Sequence, residues 1–319
     1  MHHLLLELPL RQLGLAPYRP STVEPLDIKA RNLGLTSAPG AYVHVLPNVG
    51  GFIGGDHVAM ILATGIHATD RTVLGLDIGT NTEIVLAHRG TLTSTSCASG
   101  PAFEGGHITH GMDAKPGAIE RLKIHSADQV EFQTIENLPP LGLCGSGILD
   151  AVAGLCRTGI INRQGKLASG PGVRQTGTKR EFVLIPAEKT GTGKDITLTQ
   201  KDIHEVQLAK AAIRTGIDLL VEEVGIDWKT IEDVIITGGF GSSLNPASGL
   251  AIGIVPPFTN QQFNVMGNAA GAGSRLCLIS RAERARAEEV AMNINYLELM
   301  THPQFHKRFA RAMFFQNFT

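Results

Sequence analysis

The chain has 319 residues, 43% hydrophobic and 18% charged, with 37 glycines and a formal net charge of −1. That length exceeds a usual single core and predicts two lobes, and the glycine content suits a compact α/β protein. The near-zero charge gives no electrostatic reason to expect nucleic acid or an anionic membrane as partner, and no apolar run approaches the ~18–20 residues a bilayer span needs.

In chain order, the opening MHHLLLELPL carries neither a positive n-region nor a small-residue cleavage site, so no signal peptide and a cytoplasmic location are expected. AYVHVLPN (41–48) predicts a strand, and the glycine-bracketed segment after it a helix over 56–63. VLGLDIGTNTEIVLAHRGTLTSTS (73–96) predicts a buried strand, a tight loop at DIGTN, a second strand, a turn at Arg89-Gly90 and a third strand. CASGPAFEGGHITHGM (97–112) is a glycine-punctuated loop, and 117–136 continues as β structure. GLCGSGILDAVAGLCRTGII (142–161) is a loop feeding a buried helix, and 162–180 an exposed excursion.

Two further strands, EFVLIP and DITLT, lead to a long helix, for which Thr199 and Asp202 have the capping-box spacing. Apolar residues at Ile203, Val206, Ala209, Ile213, Ile217, Leu220 and Val224 mark its inner face. DVIITGGFGSSL (233–244) is a strand running into a glycine loop. Residues 266–291 read as one helix, INYLEL as a strand, and the last stretch as an amphipathic helix in which Phe314 and Phe315 are core. The four cysteines, Cys97, Cys144, Cys156 and Cys277, lack C-x-x-C spacing, which argues for reduced thiols and against a zinc site or an iron–sulfur cluster within this chain.

The DIGTN loop sits at the tip of an antiparallel hairpin, unlike phosphate loops that run into a helix. Its donors would be the backbone N–H groups of Gly79, Thr80 and Asn81 with two hydroxyls, and Asp77 could hold Mg²⁺ through water. A plain Gly-Thr-Asn turn explains the segment almost as well. Downstream, Gly238, Gly239 and Gly241 follow a buried strand and offer flat backbone for a base or ribose. Gly145, Ser146 and Gly147 stand at a helix start, a second place for an anion. Glu205, Gln207, Lys210 and Arg214 could line a nucleoside from the long helix, though a solvated face explains at least half of them.

Taken in order, these segments resemble the second half of the acetate and sugar kinase/Hsp70/actin superfamily. NVGGFIGGDHVAMILATG, LDIGTNTEIVL, SCASGPAFEGGHITHGM, ITLTQKDIHEVQLAKAAIRTGI and NYLELMTHPQFHKRFARAMFF resemble, more narrowly, the ATPase domain of reductive activators of corrinoid proteins. The resemblance implies an α/β, actin-like (ribonuclease H-like) two-lobe fold with mixed sheets flanked by helices. Residues 1–72 would be a remnant of the first lobe with a hinge helix, 73–265 the nucleotide-binding lobe, and 266–319 a second hinge helix and return to the first lobe. Small residues (Gly54, Gly55, Gly267, Ala269, Ala270, Gly271) would let the hinge helices at 56–63 and 267–280 cross closely.

The resemblance further implies an ATP-dependent activator that drives Co(II) to Co(I) in a corrinoid protein, with ATP and Mg²⁺ as cofactors. Asp77, Gly79, Thr80, Asn81 and Thr82 would meet phosphate and Mg²⁺, and Gly238, Gly239 and Phe240 the nucleoside. Glu83 or Glu104 would orient an attacking water. Only one D-x-G-T segment is present, so the first lobe is expected to be incomplete through N-terminal truncation, and turnover by the chain alone is in doubt. An iron–sulfur electron donor would be supplied elsewhere, and homodimerisation is left open. The alternatives are a small-molecule kinase of the same superfamily, for which Asp56 is the one candidate carboxylate, and a nucleotide-binding docking module without turnover. Asp56 is otherwise explained by a helix dipole. His107 and His110 have ligand-like spacing but no third partner in the sequence, so polar loop histidines are the expectation, and TGTGK (190–194) lacks phosphate-loop spacing.

Overall fold

The computed structural model describes residues 2–239, 244–259 and 261–316. A short helix α1 (His2–Leu5) precedes an antiparallel pair, β1 (Leu26–Lys29) and β2 (Tyr42–Val45). Helix α2 (Gly55–Thr64) leads into the predicted three-strand meander, β3 (Val73–Ile78), β4 (Thr82–His88) and β5 (Thr91–Cys97). Then come β6 (Ala118–Ser126), β7 (Gln129–Thr134), β8 (Gly142–Leu143) and α3 (Gly145–Arg157). The excursion at 162–180 contains a strand, β9 (Val173–Thr176), which joins β10 (Lys179–Ile185) and β11 (Ile196–Thr199) in a small sheet.

Helix α4 (Gln200–Val224) starts where the sequence places it. The Thr199 hydroxyl accepts the Asp202 amide at 3.1 Å while the Asp202 carboxylate accepts the Thr199 amide at 2.9 Å. Gly225, at φ 73°, ends it in the left-handed region that favours glycine. The chain finishes with β12 (Asp233–Thr237), α5 (Pro246–Ile252), β13 (Gln262–Val265), α6 (Ala269–Ile279), α7 (Arg281–Met292), β14 (Ile294–Tyr296) and α8 (Phe305–Ala312).

The principal sheet is six-stranded and mixed, in the order β13-β12-β3-β4-β5-β14. The meander is antiparallel, while β12 adds parallel to β3 and β13 parallel to β12. This is the mixed, helix-flanked sheet of an actin-like lobe. Because side chains alternate along a strand, Leu74, Leu76, Ile84 and Leu86 enter a large core with α3 and α4, whereas Val73, Val85 and Ala87 enter a smaller one with α2, α6 and α7. The same alternation puts Asp77 and its register partner Glu83 on the α2 side.

Three expectations change. The segment 266–291 is two helices, because Ser280 (φ −131°, ψ 120°) leaves helical geometry and caps α7 by accepting the Glu283 amide at 3.2 Å. Helices α2 and α6 pack closely, but at Gly273, where an added Cβ would lie 1.8 Å from the Ala59 carbonyl oxygen. Gly267 has open space around it, and Gly55 packs instead on Leu46. Residues 294–312 also differ from the expected return to a first lobe: β14 pairs with β5 and α8 packs on α4, because both find their apolar partners there.

Candidate nucleotide site

The turn between β3 and β4 is tighter than three bare amides would make it. Gly79 N–H donates to the Asn81 carbonyl at 3.1 Å, so it is occupied within the turn. The expected nest therefore loses that donor. The turn is latched from the side: Ser99 Oγ donates to the Gly79 carbonyl at 3.0 Å, and the Gly100 amide to the Thr80 carbonyl at 2.8 Å. Thr82 is a second correction. Its fully buried hydroxyl lies 2.8 Å from Ser99 Oγ, so it fastens the latch and does not face a phosphate. Thr80 and Asn81 are exposed at the tip, where the Thr80 hydroxyl donates to the Glu104 carboxylate. The 97–106 loop thus brings Glu104 to the hairpin.

Behind the tip stands a group of acids. Burial pushes the Asp77 carboxyl up, and Asp56 adds to the shift. Glu83 is pushed up to about 8, first by burial, then by the charges of Asp56 and Asp77; a 3.1 Å hydrogen bond from Ser96 Oγ offsets part of this. Asp56 stands in the first turn of α2, where Asp56 Oδ1 accepts the His57 amide at 3.0 Å. A helix-dipole explanation accounts for an acid at that position, and its charge also helps raise the Asp77 and Glu83 carboxyls. The signal that could have found it is the pairing of GGD with DxGTNTE across a predicted hinge. Next to it His57 is wholly buried and held neutral, its pKa down to about 3 by burial, with Nε2 3.0 Å from Ser94 Oγ.

Asp56, Asn81 and Glu83 open onto a cleft of about 910 Å³ whose far wall is formed by β2 and the loop from Asn48 to Gly55. On the other side of the hairpin, Thr237 pairs with Asp77 across β12 and β3, and Gly238 follows directly. At φ 101°, with an added Cβ 2.4 Å from the Ile78 carbonyl oxygen, position 238 accepts glycine alone without strain. Gly239 faces open space. The two glycine segments are therefore neighbours, and Phe240 lies outside the described residues.

Other expected contacts are not gathered here. Gly147 lets α3 approach β6, since its Cβ would lie 2.2 Å from the Ile119 carbonyl oxygen. Ser146 is buried with its Oγ 3.5 Å from Cys144 Sγ, and Gly145 is buried too, so this helix start is used in packing. Glu205 stays beside the 97–112 loop, 3.8 Å from His107 Nδ1. Lys210 does not share its row. Its Nζ donates to the carbonyls of Ala312 and Phe314, both at 2.6 Å, and the Phe315 ring centroid is 5.1 Å away. Five residues along a helix turn a side chain by roughly 140°, which carries Lys210 to α8 and away from the hairpin.

All four cysteines are free and buried. No helix among the described residues is long and apolar enough to cross a membrane.

Known proteins share this fold and sequence. Residues 71–319 match the family described as the C-terminal domain of RACo, the ASKHA domain, and residues 1–69 the RACo middle region. The chain is 35% identical over 316 residues to the corrinoid activation enzyme RamQ of Eubacterium limosum, covering 96% of this chain and 53% of that protein. It is 27% identical over 271 residues to a [Co(II) methylated amine-specific corrinoid protein] reductase of Methanosarcina barkeri, covering 78% and 46%. Among solved structures, a reductive activator for corrinoid, iron–sulfur protein superposes with a TM-score of 0.92 at 39% identity, covering 99% of this chain and 51% of the other. The chain spans about half the length of the relatives it matches.

Proposed function

The chain belongs to the RACo family, and from that premise we propose that it is the ATP-binding portion of an activator that returns a corrinoid protein from Co(II) to Co(I). The observation that carries the reading is the convergence of Asp56, Asp77 and Glu83 behind a latched hairpin tip, directly beside Gly238. The charge of Asp56 acts on the Asp77 carboxyl, and a cation such as Mg²⁺ suits a carboxylate so placed. Among the described residues no three His, Cys, Asp or Glu side chains are grouped closely enough to hold a bare ion, which favours Asp77 acting on the ion's water shell. Bound there, Mg²⁺ would neutralise charge on the β- and γ-phosphates.

The residues then divide the work. Asp77 orients the hydrated cation. Thr80 and Asn81 meet phosphate at the exposed tip, and Gly238 and Gly239 give the nucleotide a surface without side chains. Glu104, steadied by Thr80, is placed to orient water, while Glu83 holds its proton until added positive charge releases it. Closing the lobes on ATP would alter the face offered to the corrinoid protein. One electron would pass from a separate iron–sulfur donor to Co(II), giving Co(I).

The test is ATP hydrolysis by this chain with and without Co(II)-form corrinoid protein, together with calorimetry of Mg·ATP. Stimulation by the partner supports the reading. Absence of nucleotide binding would overturn it, and a phosphorylated small-molecule product would point to a kinase.

A further inference from the structure

A second cavity, of about 390 Å³, lies on the other side of the sheet from the acid cluster, between α4 and α8. Helical spacing builds it. On α4, Lys210, Arg214 and Asp218 follow one another at intervals of four; on α8 and the turn before it, Gln304, Lys307, Arg308 and Arg311 share a face by intervals of three and four. The two stripes meet across the cavity, so its walls carry five cations and one acid, in a chain whose net charge is −1.

Local partners neutralise only part of this charge. Arg214 Nε donates to Asp218 Oδ1 at 2.8 Å, and Arg308 pairs with Glu222 and donates from Nε to Gln304 Oε1 at 3.1 Å. Lys307 and Arg311 are exposed and make no ion pair among the described residues. Lys210, only 1% exposed, forms the floor, with two of its protons directed to the carbonyls of Ala312 and Phe314. Gln316 at the rim adds an amide. Like charges brought face to face repel, and a concave wall concentrates their field. An arrangement of this kind is stable when an anion completes it.

We propose that this cavity is a binding site for a compact polyanion of the phosphate class, which bridges α4 and α8. Arg311 supplies forked donors matched to phosphate oxygens, Lys307 a mobile point charge, and Arg214, whose Nε and Nη1 already bond Asp218 and the Val255 carbonyl, adds charge from the wall. The site is separate from the nucleotide cleft, and the proposal stands whether or not the corrinoid reading does.

Isothermal titration with inorganic pyrophosphate and, separately, inorganic phosphate, in EDTA and at fixed ionic strength, tests it. Saturable binding is expected, tighter for pyrophosphate, with the melting temperature rising as sites fill. Lys307→Gln/Arg311→Gln should weaken it at least ~10-fold, since two charge-assisted contacts go. Both side chains are exposed and glutamine is a good helix former, so the fold should hold; Lys307→Gln alone should show a smaller loss in the same direction. Absence of saturable binding, or an unchanged affinity in the double variant, would overturn the proposal.

Discussion

Glu83 and Lys210 are both charged side chains taken out of water, on opposite sides of one sheet, and their neighbours make them opposites in use. Lys210 has two backbone carbonyls at 2.6 Å, acceptors from within the chain for two of its protons. Glu83 has one serine hydroxyl and, in its vicinity, two further acids. A buried charge whose partners are all internal is a fastening; one surrounded by its own sign is waiting for something from outside. The comparison explains why Lys210, although on the same helix as Glu205, belongs to the anchorage of α8, while Asp56, Asp77 and Glu83 mark the site.

The largest effect that would break this contrast is the pH response of Glu83. Its folded pKa is about 8, against an ordinary value of 4.5. Between those values the native state holds a proton the unfolded chain has released, so stability is full below the lower value and declines as pH rises to the upper. Glu83→Gln should remove up to about 4 kcal/mol of that decline and leave melting temperatures nearly flat from pH 5 to 8. A variant with the wild-type slope would show that the acids are already compensated.

Next in size is the crossing of α2 and α6. Gly273→Ala forces a methyl against the Ala59 backbone and should cost about 3 kcal/mol in denaturant unfolding, as overpacking does. The same change at Gly267, which has open space, should cost little. Asp77→Ala should weaken Mg·ATP binding about 10–100-fold by calorimetry, equivalent to about 1.5–3 kcal/mol, with the fold intact. Unchanged affinity would remove the acid cluster from the nucleotide site.

The smallest effect sharpens the other half of the comparison. Burial, with Arg214 adding, pulls Lys210 down to about 7 from 10.5. Here the unfolded chain binds the extra proton between those values, so the contribution rises with pH, opposite in sign to that of Glu83. Lys210→Met should abolish the rise above pH 7, a difference of about 1 kcal/mol between pH 7 and 8, read from melting curves with and without the substitution.

Much of the fold was legible because it rests on local periodicity. The alternation at 73–97 and the Thr199–Asp202 box are readable without knowing what they pack against, and both elements begin where expected. The break at Ser280 was legible in principle, since Ser280 and Glu283 have the same cap spacing, but the apolar and small residues on both sides mask it. What the sequence could not show depends on distant partners. Lys210 takes its role from carbonyls about a hundred residues away, and Asp56 from a hairpin beyond its own helix. Thr82 and Gly79 looked like ligand donors because nothing local reveals that Ser99 and Asn81 engage them first.

The contact between Gly273 and Ala59 sets a fulcrum with backbone on both sides and no rotamer able to yield. Asp56 is three residues from Ala59, a lever arm of about 4.5 Å along the axis. A scissoring of ~20° therefore displaces the Asp56 backbone by only about 1.5 Å, while points farther from the crossing sweep through longer arcs. With the crossing so near the acids, any rotation of one helix on the other would leave Asp56 almost where it stands.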